Sequence, residues 1–289
     1  MDPEILNRIS RLELRARHVV EGYLVGIHRS PYHGLNVEFA EHRPYSPGAE
    51  LKHIDWKLWA RSDRFYVKLF EEETNLRAHF LMDGSRSMAY RSGAMSKYDY
   101  GATVAASLAY VLLSQQDAVG LRLFDTAVRA ALQPRATDAQ IEPFCRLLAE
   151  HNPDGETDTG ALLQEMAPEL GRRGLVVFIS DMIAPLEDLT AALRRFAYHG
   201  HAVVFAHVVD PAEEDFPFDG QVRFEGMEGG AAVRTDARQV RRDYLSSFGR
   251  FCERLEAECA ERRADYVRLR TDQRLDLALS RFLSTRSPA

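Results

Sequence analysis

Apolar residues at Ile5, Ile9, Leu12, Ala16, Val19 and Val20 recur at helical spacing with Arg8, Arg11 and Arg15 between them, which predicts an opening amphipathic helix. From Gly22 to about Lys68 the pattern is irregular, and Ser30-Pro31, Gly34, Arg43-Pro44 and Ser46-Pro47-Gly48 supply turn formers. Residues 1–75 therefore read as a helix and a loop-rich, short-stranded region packing on a core formed by 76–289. After Leu76 strands alternate with helices. Strands are predicted at Leu76–Met82, Ala118–Phe124, Leu175–Ile179, Ala202–Val209 and Tyr266–Leu269. Helices are predicted at Lys97–Gln116, Thr137–Glu150, Thr159–Leu170 and Leu275–Phe282, and on the stripe Leu186, Leu189, Leu193 and Phe196. A long helix is expected to turn Val240, Tyr244, Phe248, Phe251, Leu255 and Cys259 toward the core.

Two segments break this rhythm. Thr126–Leu132 alternates in polarity and follows Phe124 too closely for a crossover, so it is predicted as an antiparallel edge strand. Gly226, Gly229 and Gly230, between the β-prone pieces Gln221–Phe224 and Ala231–Arg234, predict a β-hairpin insertion near 218–235. Parallel neighbours need crossover helices, so the strand–helix–strand order gives the fold class: α/β, a doubly wound, mostly parallel, Rossmann-like sheet.

Composition narrows the class. Of 289 residues, 45% are hydrophobic and 28% charged, a balance that excludes disorder as the main state. The longest apolar run, Val104–Leu113, is interrupted by Ser107 and Tyr110 and is too short to span a bilayer. The acidic start Met1-Asp2-Pro3-Glu4 lacks the pattern of a secretory signal, so a cytoplasmic protein without membrane insertion is expected. Cys145, Cys252 and Cys259 have no zinc-ligand spacing and read as small core residues. The net charge of −6 gives no footprint for nucleic acid over the whole surface. Arg43 to Lys68 holds six bases and three acids, which keeps a nucleic-acid-binding module as one alternative.

The chemistry concentrates in Asp83-Gly84-Ser85-Arg86-Ser87, a D-x-S-x-S string directly after the apolar strand end Phe80-Leu81-Met82. Ligands of open α/β sheets bind at that edge. A carboxylate and two hydroxyls spaced by single residues in a turn can face one point and offer oxygen donors to a hard cation. Gly155-Glu156-Thr157-Asp158-Thr159 precedes a helix, and Ser180-Asp181 ends the apolar strand Leu175–Ile179. These loops are expected to converge on the same edge.

In these features the chain resembles the von Willebrand factor A superfamily, whose metal-dependent adhesion site uses D-x-S-x-S, a later threonine and a later aspartate. The resemblance maps that site onto Asp83, Ser85, Ser87, Thr157 and Asp181. Thr159 competes for the threonine role, and the family's Gly-x-Thr before its helix favours Thr157. It implies Mg2+ (or Mn2+), a partner protein whose carboxylate completes the coordination, and no catalysis. A second string, Arg43-Pro44-Tyr45-Ser46-Pro47-Gly48 with Ile54-Asp55-Trp56 and Ala60-Arg61, resembles the signature of bacterial domain of unknown function family 58. It departs at Gly48-Ala49-Glu50, where members often carry Gly-Asp. That resemblance implies a chaperone-like adaptor working with a MoxR-type AAA+ ATPase. The chain itself has no G-x-x-x-x-G-K-[ST] string, so any ATP chemistry is expected in the partner. Arg43, Tyr45, Asp55, Trp56 and Arg61 are read as signature residues with a structural or partner-binding role.

Enzyme readings meet obstacles. A serine-hydrolase elbow puts Arg86 where the nucleophile belongs, and an aspartyl-phosphate site would need an acid at Ser85. A metal-assisted hydrolase, with Asp83 and Asp181 holding an ion that activates water, stays open but lacks an evident general base.

Overall fold

The computed structural model describes residues 10–21, 42–44, 66–68, 76–155, 159–171, 173–227 and 232–277. They belong to two compact units, one formed by 1–26 with 76–289 and the other by 27–75. In the smaller unit β1 (His42–Pro44) pairs antiparallel with β2 (Tyr66–Lys68), and Arg43 stands opposite Val67. Tyr45, Asp55, Trp56 and Arg61 lie outside the described residues.

The larger unit opens with helix α1 (residues 10–21), whose Leu12, Ala16 and Val20 are buried in the main core. The predicted stripe thus finds its surface, and the helix belongs with the sheet rather than with the segment that follows it. β3 (Arg77–Asp83) leads to α2 (Lys97–Ser114), then β4 (Ala118–Phe124), β5 (Val128–Arg135) and α3 (Ile141–Glu150). Next come α4 (Thr159–Glu169), β6 (Leu175–Ser180), α5 (Leu186–Tyr198) and β7 (Ala202–Val209). The chain continues through the short helix α6 (Pro211–Asp215), the hairpin β8 (Gln221–Phe224) and β9 (Val233–Asp236), α7 (Ala237–Glu261) and β10 (Asp265–Arg270).

The main sheet has the order β10-β7-β6-β3-β4-β5, parallel throughout except for the antiparallel edge strand β5. This is the doubly wound α/β class the sequence predicts. Strand order reverses between β3 and β6, and a crevice for ligands opens beyond the carboxyl ends of strands at such a point. Side chains alternate across the sheet. Phe80, Val177 and Ile179 enter the core with α1, α2 and α3, while Leu81, Val176 and Phe178 enter the one with α4, α5 and α7. Cys145, Cys252 and Cys259 are buried and free, as expected of small core residues.

Among the differences from the predicted pattern are two strand starts and the burial of one helix. β5 starts at Val128 because Asp125 accepts hydrogen bonds from the Ala127 N–H (3.1 Å) and the Arg129 guanidinium (2.7 Å), which closes a turn over 125–127 first. β9 starts at Val233 rather than Ala231. In α7 only Leu255 and Cys259 of the predicted stripe are fully buried; Val240 and Tyr244 are half-buried beside a cavity, and Phe248 and Phe251 are half-buried where they meet His207 of β7.

At the opposite end of the sheet from the switch-point crevice, His79 meets His201 edge-on, with ring centroids 6.1 Å apart. Burial, then the charges of His201, Arg122 and Arg77, lower the His79 pKa from 6.5 to about 4. A histidine held neutral in this way contributes its full stability above the unfolded pKa and loses it as the pH falls through that window. Relative to His79→Leu, the wild type is therefore expected to lose denaturant midpoint as the pH falls from 6.5 to 4; the same pH dependence in both would exclude a contribution from His79.

Candidate metal centre

Asp83 ends β3 with 1% of its surface exposed. Its Oδ1 accepts the Ser85 N–H at 2.9 Å, and its Oδ2 accepts the Ser180 hydroxyl at 2.7 Å. Neutral donors hold it; among the described residues no basic side chain pairs with it. Burial first, and then the nearby charge of Asp181, raise its pKa from 3.8 to about 7. An acid shifted that way stabilises the fold at low pH and loses that contribution as pH rises from its ordinary value toward 7, when the buried negative charge forms.

The turn after Asp83 is pinned on several sides. The Gly84 N–H donates to the Phe124 carbonyl (2.7 Å), and the Gly84 carbonyl lies 2.8 Å from His151 Nε2. A Cβ at position 84 would collide with that imidazole, which accounts for the glycine. A 3-10 turn over Arg86–Ala89 then curls the chain so that the Ser85 and Ser87 hydroxyls come within 3.1 Å of each other, both buried. The D-x-S-x-S string therefore gathers as its spacing predicts.

The second loop also arrives. Ser85 forms a parallel bridge with Gly155, and the Arg86 N–H donates to the Gly155 carbonyl at 2.7 Å. The Arg86 guanidinium adds bonds of 3.1 and 2.8 Å to the Asp154 carbonyl. Gly155 packs against the Asp125 carboxylate so closely that a side chain there would overlap it. Thr157 itself lies outside the described residues, and Thr159 is described only as the start of α4.

Asp181, 5% exposed, follows β6 at the same edge. The turn beyond it places Met182 at φ 57°, and Ser180 Oγ accepts the Met182 N–H at 2.9 Å. Its partner is a residue that sequence reasoning missed. Lys97, 1% exposed at the first position of α2, places Nζ 2.7 Å from both Asp181 Oδ2 and Glu213 Oε1. Burial alone would lower the lysine pKa, but the two carboxylates outweigh it and hold the ammonium above the ordinary lysine value.

Glu213 comes from α6, a second omission. That helix is fixed by Asp210, whose side chain caps Ala212 N–H at 2.8 Å, while Glu213 reaches back to the Asp210 N–H at 2.8 Å. The signal was present in Asp210-Pro211-Ala212-Glu213: a capping box with proline at the first helical position. For Lys97 no comparable signal exists, since only the tertiary fold brings it to its acids.

The donor set suits a small hard cation. Among the described residues no three His, Cys, Asp or Glu side chains gather as a closed metal cage. What gathers is one uncompensated carboxylate, two hydroxyls and a second carboxylate shared with an ammonium. Magnesium keeps water and tolerates few protein oxygens, so such an open set fits it better than a metal demanding a full protein cage. Lys97 neutralises the Asp181 side of the site, which leaves the Asp83, Ser85 and Ser87 side as the place where positive charge is lacking.

Residues 41–250 match the family profile "Protein of unknown function DUF58". The chain is similar to uncharacterized protein Rv1480 of Mycobacterium tuberculosis (strain ATCC 25618 / H37Rv) at 25% identity, over 99% of this chain and 90% of the relative. Uncharacterized protein Mb1516 of Mycobacterium bovis gives the same identity and coverage. Among solved structures it is similar to an aerotolerance-related membrane protein from Bacteroides fragilis (17% identity, 72% of this chain and 97% of that one, TM-score 0.46). It is likewise similar to the SpRpn10 VWA domain (11% identity, 74% and 95%, TM-score 0.43). No described helix is long and apolar enough to cross a membrane. With the profile spanning more than half of its length, the chain belongs to the DUF58 family.

Proposed function

We propose that this protein is a non-enzymatic, cation-dependent protein-binding module of the cytoplasm, an adaptor or co-chaperone for a MoxR-type AAA+ ATPase. Asp83, Ser85 and Ser87, with Thr157 and Asp181, are the residues that would hold Mg2+ or Mn2+. The bound ion would supply a coordination position for a carboxylate of the partner. One observation carries this reading: Asp83 is buried at the switch point of the sheet without a basic partner among the described residues, beside two hydroxyls 3.1 Å apart. A buried carboxylate left in that state is costly unless a cation meets it.

The chain's own residues prepare the site in three ways. Ser180 and the Ser85 backbone orient the Asp83 carboxylate. The bridge between Ser85 and Gly155 ties the segment ending at Gly155 to the D-x-S-x-S turn. Lys97 holds Asp181 and Glu213 in place by bonding both carboxylates.

Immobilised protein is expected to retain a purified MoxR-type ATPase in Mg2+ or Mn2+ and to release it in EDTA, with retention lost in Asp83→Ala and Ser85→Ala. Retention that ignores EDTA and both substitutions contradicts the reading, as does turnover of a phosphoester by the purified chain. Lys97→Met leaves the buried Asp181 and the half-buried Glu213 without their cation, which is expected to cost about 3–5 kcal/mol in denaturant titrations. Part of that loss should return in Mg2+, because Asp181 regains a positive neighbour; a cost under about 1 kcal/mol would show that the ammonium is not holding the site together.

A further inference from the structure

The hairpin β8–β9, helix α6 and the first half of α7 surround a cavity of about 620 Å³ next to the proposed cation site. One side of it is built from packed rings: Phe216 lies 4.9 Å from Tyr244 and 5.2 Å from Phe218, and Phe218 lies 5.4 Å from Phe224, centroid to centroid. Polar side chains of the site, Ser87, Lys97 and Glu213, line the same cavity. Cavity and site thus share Ser87, one of the two convergent hydroxyls, and the ammonium that holds Asp181.

The rim is apolar where an ordinary surface would be polar. Ile183, two residues beyond Asp181, is 57% exposed, and Val233 at the start of β9 is 58% exposed; both line the cavity. Arg86, inside the D-x-S-x-S string, ties this wall to the site by donating to the Met227 carbonyl at 3.4 Å as well as to Asp154. The hairpin is not needed to complete the main sheet, whose strands all pair without it. What it adds is the far wall of the cavity.

Resting on the cation-dependent reading above, we infer that this cavity selects the partner. The docking segment carries an acidic residue with a large apolar side chain, Phe, Trp, Leu or Met, within two positions of it. The acid goes to the cation beside Ser87, and its neighbour enters the pocket lined by Phe216, Phe224, Val240 and Tyr244. Charge complementarity sets the first half of this preference and the apolar lining the second. A carboxylate alone would bind any acidic surface, whereas burying one large side chain beside it adds roughly ten- to a hundredfold in affinity. The cavity is ample for one such side chain and a stretch of its backbone, and falls within the size range of ordinary ligand pockets.

The test is a phage-displayed library of random peptides, selected on the full-length protein in millimolar Mg2+ and eluted with EDTA. Enriched clones are expected to carry Asp or Glu with a large apolar neighbour. A synthetic peptide of such a sequence should lose about tenfold or more in affinity when the apolar residue becomes alanine. Val233→Glu, at a rim position 58% exposed, should remove that difference while Mn2+ binding, followed by electron paramagnetic resonance, is unchanged. Enrichment of acids without an apolar neighbour, or a preference that survives Val233→Glu, overturns the inference and leaves the cation reading standing. Apolar clones that bind equally in EDTA overturn the coupling of pocket to site. An absence of EDTA-eluted clones, together with no Mn2+ binding, removes the cation reading and this inference with it.

Discussion

Two aspartates end neighbouring parallel strands at the point where the order of the sheet reverses, and both are buried. Parallel strands side by side deliver their carboxyl ends to one edge, so β3 and β6 bring Asp83 close enough to Asp181 for that neighbour to penalise a charge on Asp83. The surrounding structure can be understood as a response to that constraint. Lys97 meets the Asp181 side with a fully buried ammonium, and Glu213 satisfies the remainder of the lysine. On the Asp83 side the response is made only of hydroxyl and amide donors. Donors of that kind orient a carboxylate but do not neutralise it, which is why this half of the site is suited to an ion.

The elements around the edge are built to keep that arrangement stiff. Gly84 and Gly155 are small because His151 and Asp125 pack directly against them. Helix α2 begins at Lys97 itself, with Ser96 capping the Asp99 N–H at 3.0 Å, so the ammonium projects from a fixed helix start rather than from a loop. Helix α6 is too short to stand alone and relies on the Asp210 and Glu213 capping box; the same glutamate that closes the box also receives the lysine. Secondary structure and site electrostatics are therefore coupled through single side chains. The aromatic cluster beyond α6 extends the edge into a cavity, beside which Val240 and Tyr244 of α7 stay half-buried.

Much of the scaffold was legible because strands buried on both faces announce themselves as continuous apolar runs. β4 and β7 begin and end where the pattern places them. The edge strand was displaced because the turn at Asp125 is made by side-chain bonds that hydrophobic periodicity does not register. Pro134 was no obstacle there, since an edge strand leaves one side unpaired. In the site, the D-x-S-x-S string was readable because its residues are neighbours in a single turn directly after an apolar strand. Lys97 was not, because its partners lie 84 and 116 residues away and nothing local separates a lysine at a helix start from a solvated one. The capping box at Asp210 was written in the sequence but was masked by the strong apolar run before it.

The most direct measurement is an anomalous difference map from crystals grown with Mn2+. A peak within coordination distance of the Ser85 and Ser87 hydroxyls, with Asp83 beside it and Lys97 still on Asp181, is the expected result. A flat map at that edge under saturating Mn2+, with Asp83 still bonded to Ser85 and Ser180, would contradict it.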